Sequence, residues 1–402
     1  MVKTAGLTFA SRLFGAMLSF GLIILVSRYL GSETRGICGL YLVIIALATA
    51  ISDIAGGAAA PFLLSQYPAS RLLSGQMIWA IVPSVLVPLS FVFFSGIPAN
   101  EFLLLAMASW LNSTWSVQQQ IMLGFKKFAA FNLMTIAIPA FSISGFILLY
   151  AFEFRSSLSY LTSVSFAYFI ATISGIYLLR GAIQGQKGSW KSEGNREIFR
   201  KGFQNQLAHF ASLFNSRLVF FILPAATLGL WSNTLSLGEA LFLIPGSLGQ
   251  VAYGLMAGKT GKGNEKVFQK AWRVNLLVMI PGLMATGFLP DTFWQWIFGK
   301  DFSGISALLK LALPGIGVYS LYLLVSYRQS ASGNFHYNFY SLLAGLIVNL
   351  LVSGILLFTG KYSLNGGIMA LVAGWGTASL ASLVALRVTN PAAFRSIMGI
   401  SG

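Results

Sequence analysis

The chain has 402 residues, of which 9% are charged and 56% hydrophobic, with a mean hydropathy of +0.76 and a formal net charge of +16. A soluble domain carries roughly a quarter charged residues, so this much apolar surface needs lipid around it. One cysteine, Cys38, and two histidines, His209 and His336, exclude an intramolecular disulfide and a Cys- or His-built metal centre; the basic residues lie in short clusters between apolar runs, not on one polar nucleic-acid-binding domain.

The first thirty residues combine a basic start with an apolar stretch, but Arg12 interrupts the stretch and no small-residue cleavage site follows, which predicts an uncleaved first helix. Crossing a hydrocarbon core of about 30 Å takes roughly 20 helical residues. Apolar runs of that length predict an all-α membrane protein of about twelve transmembrane helices. They cover residues 5–29, 36–60, 72–95, 102–124, 132–152, 158–180, 202–223, 227–256, 267–289, 304–326, 334–358 and 366–388.

With the N-terminus on the cytoplasmic side, the opposite face carries Arg28, Arg35, Arg155, Lys300 and Lys361, and Arg12, Arg217 and Lys310 fall inside spans. Every other Lys and Arg is cytoplasmic, as the positive-inside rule requires. Both termini are then expected in the cytoplasm. The longest polar segment, residues 181–201 (GAIQGQKGSWKSEGNREIFRK), separates an N-lobe of six helices (1–180) from a C-lobe of six helices (202–402). Each lobe opens on a helix with a Ser-Arg pair, Ser11-Arg12 and Ser216-Arg217, followed by Leu30-Gly31 and Leu228-Gly229. This weak similarity is that of a parallel repeat.

Ionisable side chains inside a bilayer are costly and need a partner or a wet cavity. Thr8, Ser11, Arg12, Gly15 and Ser19 share one helical stripe, and Asp53 is expected at a depth where it pairs with Arg12. Arg217 and Glu239 are a similar couple in the second lobe. Such couples either fix helix rotation or line a cavity. Lys310 is close enough to the outer surface to snorkel, and His209 reads as structural. Asn205, His209, Ser212 and Ser216 stripe the seventh helix, and Asn112, Trp115, Gln118 and Gln119 cluster late in the fourth. Amides and hydroxyls of this kind suit a hydroxyl-rich ligand or, equally, bonds between helices. The chain has no Walker A motif, nucleophile elbow or catalytically spaced carboxylate pair, and its longest polar loop is too short for a catalytic domain. An enzyme is not expected.

Five stretches, in order, resemble the polysaccharide (O-antigen, Wzx-like) flippases of the multidrug/oligosaccharidyl-lipid/polysaccharide exporter superfamily. They are SRYLGSETRGICGLYLV (Ser27–Val43), QQQIMLGFKKFAAFNL (Gln118–Leu133), LGLWSNTLSLGEALFLIPGSLGQV (Leu228–Val251), IFGKDFSGISALLKLALPGIG (Ile297–Gly317) and the run from Ser330 to Gly376. The resemblance implies a V-shaped two-lobe exporter that works by alternating access in a bacterial cytoplasmic (inner) membrane. Its cargo would be a lipid-linked oligosaccharide on undecaprenyl pyrophosphate, used in surface polysaccharide biosynthesis. Partners would be that cargo, membrane lipids and other polysaccharide-assembly membrane proteins, with a monomer as the working unit and no nucleic acid. Guanidinium grips phosphate bidentately, which assigns the pyrophosphate to Arg12 and Arg217. Ser11, Asn112, Gln118, Asn205 and Ser216 would line the polar cavity, and Asp53 or Glu239 would couple transport to a proton or sodium gradient. No cofactor or metal is implied. A cation-coupled multidrug exporter of the same fold is the alternative, but it would favour acids in the cavity, whereas the intramembrane charges here lean basic.

Overall fold

A computed structural model describes residues 2–57, 59–64, 66–95, 97–183, 195–256, 262–332 and 334–398. The helices are α1 (Val2–Ser52), α2 (Ala60–Leu63), α3 (Ala69–Ser95), α4 (Phe102–Gly124), α5 (Phe128–Ala151), α6 (Ser157–Ile183), α7 (Asn195–Arg217), α8 (Ala225–Leu241), α9 (Leu243–Met256), α10 (Lys262–Phe288), α11 (Asp291–Phe298), α12 (Ile305–Ala331), α13 (Phe335–Phe358), α14 (Leu364–Thr389) and α15 (Pro391–Met398). No strand occurs among the described residues. Residues 184–194, the centre of the expected basic linker, lie outside them.

Nine stretches are long and apolar enough to cross a membrane, which makes this a multi-pass membrane protein. The first runs 46 residues, from Ala10 to Ala55. At 1.5 Å per residue it would be about 69 Å long, over twice the hydrocarbon thickness. It is divided at Gly31, whose φ of 79° and ψ of 177° no helix accommodates, so α1 is two antiparallel-capable arms, 2–30 and 32–52. The second arm is shorter than expected: it ends at Ser52 in a 3₁₀ turn, Asp53–Ala55, closed by Gly56 at φ 104°. The expected span 227–256 is likewise two helices. Pro245 has no N–H for the Leu241 carbonyl four residues earlier, which interrupts the hydrogen-bond ladder between α8 and α9 at Phe242, while Phe242 itself keeps helical geometry (φ −68°, ψ −12°) and the stretch still runs as one membrane-length span. By contrast, Pro83 and Pro88 in α3, Pro139 in α5, Pro281 in α10 and Pro314 in α12 sit within continuous helices. α4 and α7, 23 residues each, match two further expected spans but are too polar to pass as membrane-crossing on hydropathy alone.

The chain forms two compact units, residues 1–210 and 211–402. In the first, Leu63, Leu72, Trp115, Ile121, Met122, Leu179 and Ile198 build a core around α3, α4 and α6, into which the N-terminal half of α7 is drawn. A side chain at Gly202 would meet the Ile54 carbonyl oxygen at 2.2 Å, so only glycine lets α7 approach the 3₁₀ turn. In the second, Met256, Phe268, Trp272, Leu324 and Val325 form a core of α9, α10 and α12. There α13 and α14 cross at Gly345 and Gly374 with backbone almost touching backbone.

Candidate substrate and ion sites

In the first unit Arg12 is half-buried, about 15 Å along α1 from Val2, with its guanidinium carbon 5.8 Å from the centre of the Phe131 ring on α5. Ser11 beside it is half-buried as well. The structure does not pair Arg12 with Asp53. The carboxylate sits in the 3₁₀ turn at the end of the second arm, 8% exposed, where Gln76 Nε2 donates to Oδ1 at 3.0 Å and Ser116 Oγ donates to Oδ2 at 3.0 Å. Asp53 belongs to a turn that packs against α3 and α4, whereas Arg12 faces α5.

Asn112 donates to Thr49 Oγ1 at 2.8 Å, bonding α4 to α1. Gln118 is fully buried, its amide donates to the Thr172 carbonyl at 3.2 Å, and its oxygen lies against Gly175 on α6. In this structure Gln118 packs between α4 and α6. The side chain of Asn205 lies outside the described residues.

In the second unit Arg217 and Glu239 meet, Nη2 to Oε1 at 2.7 Å, with side chains 22% and 45% exposed. Arg217 also lies 6.0 Å from the Phe220 ring, and its Nε is buried without a hydrogen bond. The pair forms because α7 stops at Arg217 and turns through a 3₁₀ segment, Leu218–Phe221, before α8 brings Glu239 back alongside. Ser216 turns its hydroxyl to the Leu213 carbonyl of its own helix. About one turn earlier on α7, Ser212 and the Tyr319 hydroxyl are 3.0 Å apart, and Asn349 Nδ2 donates to the backbone oxygen of Asn215, beside Ser216, at 2.9 Å and to its Oδ1 at 2.8 Å. Lys310 and His209 are exposed.

Three features escaped the sequence. Gln76 and Ser116 hold Asp53; the available signal was an amide inside the apolar run of α3, which demands a partner. Arg35, expected on the outer face, is 1% exposed, and Glu101, which directly precedes the fourth span, is 5% exposed and accepts hydrogen bonds from Tyr41 Oη and from Ser157 Oγ, the latter at 3.1 Å. Tyr67 donates to Glu197 at 2.9 Å, and Arg71 donates to Asn195 Oδ1 at 2.8 Å, tying the start of α7 to the first unit. Burial and the Glu197 carboxylate raise the Tyr67 hydroxyl pKa.

No protein-family model matches the chain, and no curated protein sequence does. Solved structures match along its whole length. The lipid II flippase MurJ in an inward closed conformation superposes with a TM-score of 0.74 at 15% identity, covering 100% of this chain and 91% of its own. An inward-facing multidrug resistance MATE family transporter of the MOP superfamily gives 0.68 at 11% identity, covering 99% and 100%. A MOP superfamily transporter from Pyrococcus furiosus gives 0.60 at 13%, covering 97% and 96%. The fold is that of the MOP superfamily exporters. These neighbours are transporters and flippases, not enzymes.

Proposed function

We propose that this chain flips an oligosaccharide carried on undecaprenyl pyrophosphate across a bacterial cytoplasmic membrane by alternating access. It would act as a monomer with both termini cytoplasmic, beside the other membrane proteins that assemble a surface polysaccharide of the O-antigen type. The observation that carries the reading is the sign of the accessible charge at membrane depth. Arg12 is half-buried against an aromatic ring, and Lys310 is exposed. Of the acids, Asp53 is withdrawn behind neutral donors and Glu239 is already bound to Arg217. Arg12, Arg217 and Lys310 put a net positive charge within the expected spans, and a pyrophosphate crossing hydrocarbon needs fixed cations.

Arg12 and Arg217 are the candidate phosphate-binding cations of the two units; Arg217 would bind by exchanging the Glu239 carboxylate for a phosphoryl oxygen, an exchange between like acceptors. Flipping breaks no bond, so no catalytic residue is required. In proteoliposomes loaded with a fluorescent lipid-linked oligosaccharide, wild-type protein moves the sugar between leaflets, and Arg12→Ala and Arg217→Ala each slow that movement. Undiminished flux in both variants would sink the proposal.

The full-length likeness to multidrug transporters favours one second reading, a cation-coupled drug exporter. Uptake of a lipophilic cation such as ethidium, with no movement of the lipid-linked sugar, would put that reading in its place.

A further inference from the structure

Arg328 stands in the last turn of α12 and is 7% exposed, which is unusual for an arginine without an acid bound to it. An arginine near a membrane surface ordinarily snorkels, burying its stem and leaving its head in water. Here the head is buried with the stem. Its Nη1 donates to the Ser332 hydroxyl at 2.6 Å, a neutral partner that donates in turn to the Arg328 carbonyl, and its Nε is sealed without an acceptor. Glu265 on α10 is near enough to act on Arg328 electrostatically but forms no ion pair with it.

The uncommitted donors share one edge. In a planar guanidinium the Nε–H and one N–H of Nη2 point the same way, and neither has an acceptor among the described residues. That edge is the fork that takes two oxygens of one phosphate. A buried guanidinium with a single neutral partner leaves both its donors and its charge uncompensated, and a phosphate answers both costs. The surroundings have the matching sign. α10 begins at this end with Lys266, Lys270 and Arg273 exposed, α14 finishes with Arg387 exposed, and α15 exposes Arg395 while Gln269 Nε2 of α10 donates to its Ser396 carbonyl at 3.0 Å. Against these cations Glu265 is the only acid on α9, α10, α12, α14 or α15. Along α12, Arg328 is about 35 Å from Ile305 at 1.5 Å per residue, past a hydrocarbon core of about 30 Å and at the level of lipid headgroups.

We propose that Arg328 anchors a phosphate-binding site at this end of the second unit, the end expected in the cytoplasm, and that its Nε and Nη2 edge takes the phosphodiester of an anionic membrane lipid or a free phosphate ion. Nε is sealed in the present state, so the head turns about its Ser332 bond to present that edge. The exposed cations of α10, α14 and α15 draw the anion in by longer-range attraction. Bound there, a headgroup ties the ends of α10 and α12 to one leaflet. The site uses neither Arg12 nor Arg217 and does not depend on what cargo the chain carries.

The test uses purified full-length protein in detergent, without cargo, and follows the midpoint of thermal unfolding. In one arm sodium phosphate replaces sodium chloride at constant pH and ionic strength. In the other, phosphatidylglycerol is compared at equal mole fraction in mixed micelles with phosphatidylcholine, whose choline cation offsets its phosphate. A ligand bound only by the folded state raises the midpoint with its concentration. Arg328→Met sets the baseline in each arm, because it removes the guanidinium and keeps the other cations, and so reports general salt and charge effects. Wild type is expected to gain stability beyond that baseline. A gain with sodium phosphate shows that the free ion suffices, and a gain confined to phosphatidylglycerol assigns the site to a headgroup. Arg328→Lys keeps the charge and loses the fork, and is expected to weaken the apparent affinity about tenfold. It also keeps the test decisive if Arg328→Met does not fold. Equal responses of wild type and Arg328→Met in both arms, or an undiminished affinity in Arg328→Lys, overturns the proposal.

Discussion

Placing a methyl group at Gly345 tests how closely the second lobe depends on one helix crossing. An alanine Cβ there would lie 2.5 Å from the Gly374 carbonyl oxygen, 2.9 Å from Ala378 Cβ and 3.3 Å from the Ala378 nitrogen. The obstructing atoms are mostly helical backbone, so no side-chain rotation relieves them and α13 must move off α14. Overpacking of this kind costs about 1–3 kcal/mol, against which the better helix propensity of alanine returns about 1 kcal/mol. Gly354 supplies the control within the same helix, because a methyl group there meets nothing within 4 Å. Gly354→Ala should therefore stabilise by about 0.5–1 kcal/mol while Gly345→Ala destabilises. For a unit of this size each kcal/mol shifts the melting midpoint by about 2–4 °C, so the two single-methyl variants should melt several degrees apart in the same detergent. The crossing also sets the reach from Asn349 to Asn215, two residues before Arg217, so spreading the helices should slow flux as well. Equal midpoints for the two variants would refute the close-crossing argument.

Asp291 caps the link between α11 and α12 by accepting from the Gly304 and Ser306 N–H groups and from Gln295. Burial pushes its pKa up, but those bonds outweigh it and hold the carboxyl below the ordinary range. A depressed folded-state pKa contributes stability above the unfolded value, about 3.9, and loses it as pH falls through the folded one. The advantage of wild type over Asp291→Asn in thermal unfolding should be full at neutral pH and shrink below about pH 4. Glu239→Gln leaves Arg217 without its competing anion and should tighten binding of inorganic pyrophosphate about 2- to 5-fold by calorimetry, the equivalent of a partly exposed ion pair. Asn349→Leu strands Asn215 and should lower stability by about 0.6–1.7 kcal/mol in denaturant titrations, the range for hydrogen bonds between membrane helices.

Helix existence was legible because membrane spans advertise themselves through long apolar runs, and each expected run contains a helix. What hydropathy could not show was where a run breaks. Gly31 and Pro245 both divide apolar sequence, but so could Pro83, Pro139 or Pro314, which do not. Only Gly31 leaves helical geometry outright, whereas at Pro245 the ladder loses one bond and Phe242 stays helical. Polar partners were the other blind spot. Arg217 and Glu239 could be paired because both lie in single, successive helices, and only one short turn separates them. Asp53 was matched to the wrong helix, because depth along a helix says nothing about the direction in which a side chain points. Glu101 and Arg35 looked like loop charges since they flank apolar runs, yet they are buried where α1, α4 and α6 meet through Tyr41 and Ser157.

The internal similarity between lobes stops at the Ser-Arg pairs, and the acids show why that matters. Glu239 neutralises its arginine across 2.7 Å at a site open enough for screening, so the pair can trade one anion for another at little cost. Asp53 is 8% exposed and accepts instead from two neutral donors, the Gln76 amide and the Ser116 hydroxyl, so it holds its place by hydrogen bonds without an ionic partner to exchange. A shared Ser-Arg pair at the start of each unit therefore does not bring a shared environment for the acid: one carboxylate is part of an open ion pair and the other of a closed polar turn, because the first lies on a helix that returns alongside its arginine and the second in a 3₁₀ turn packed on α3 and α4.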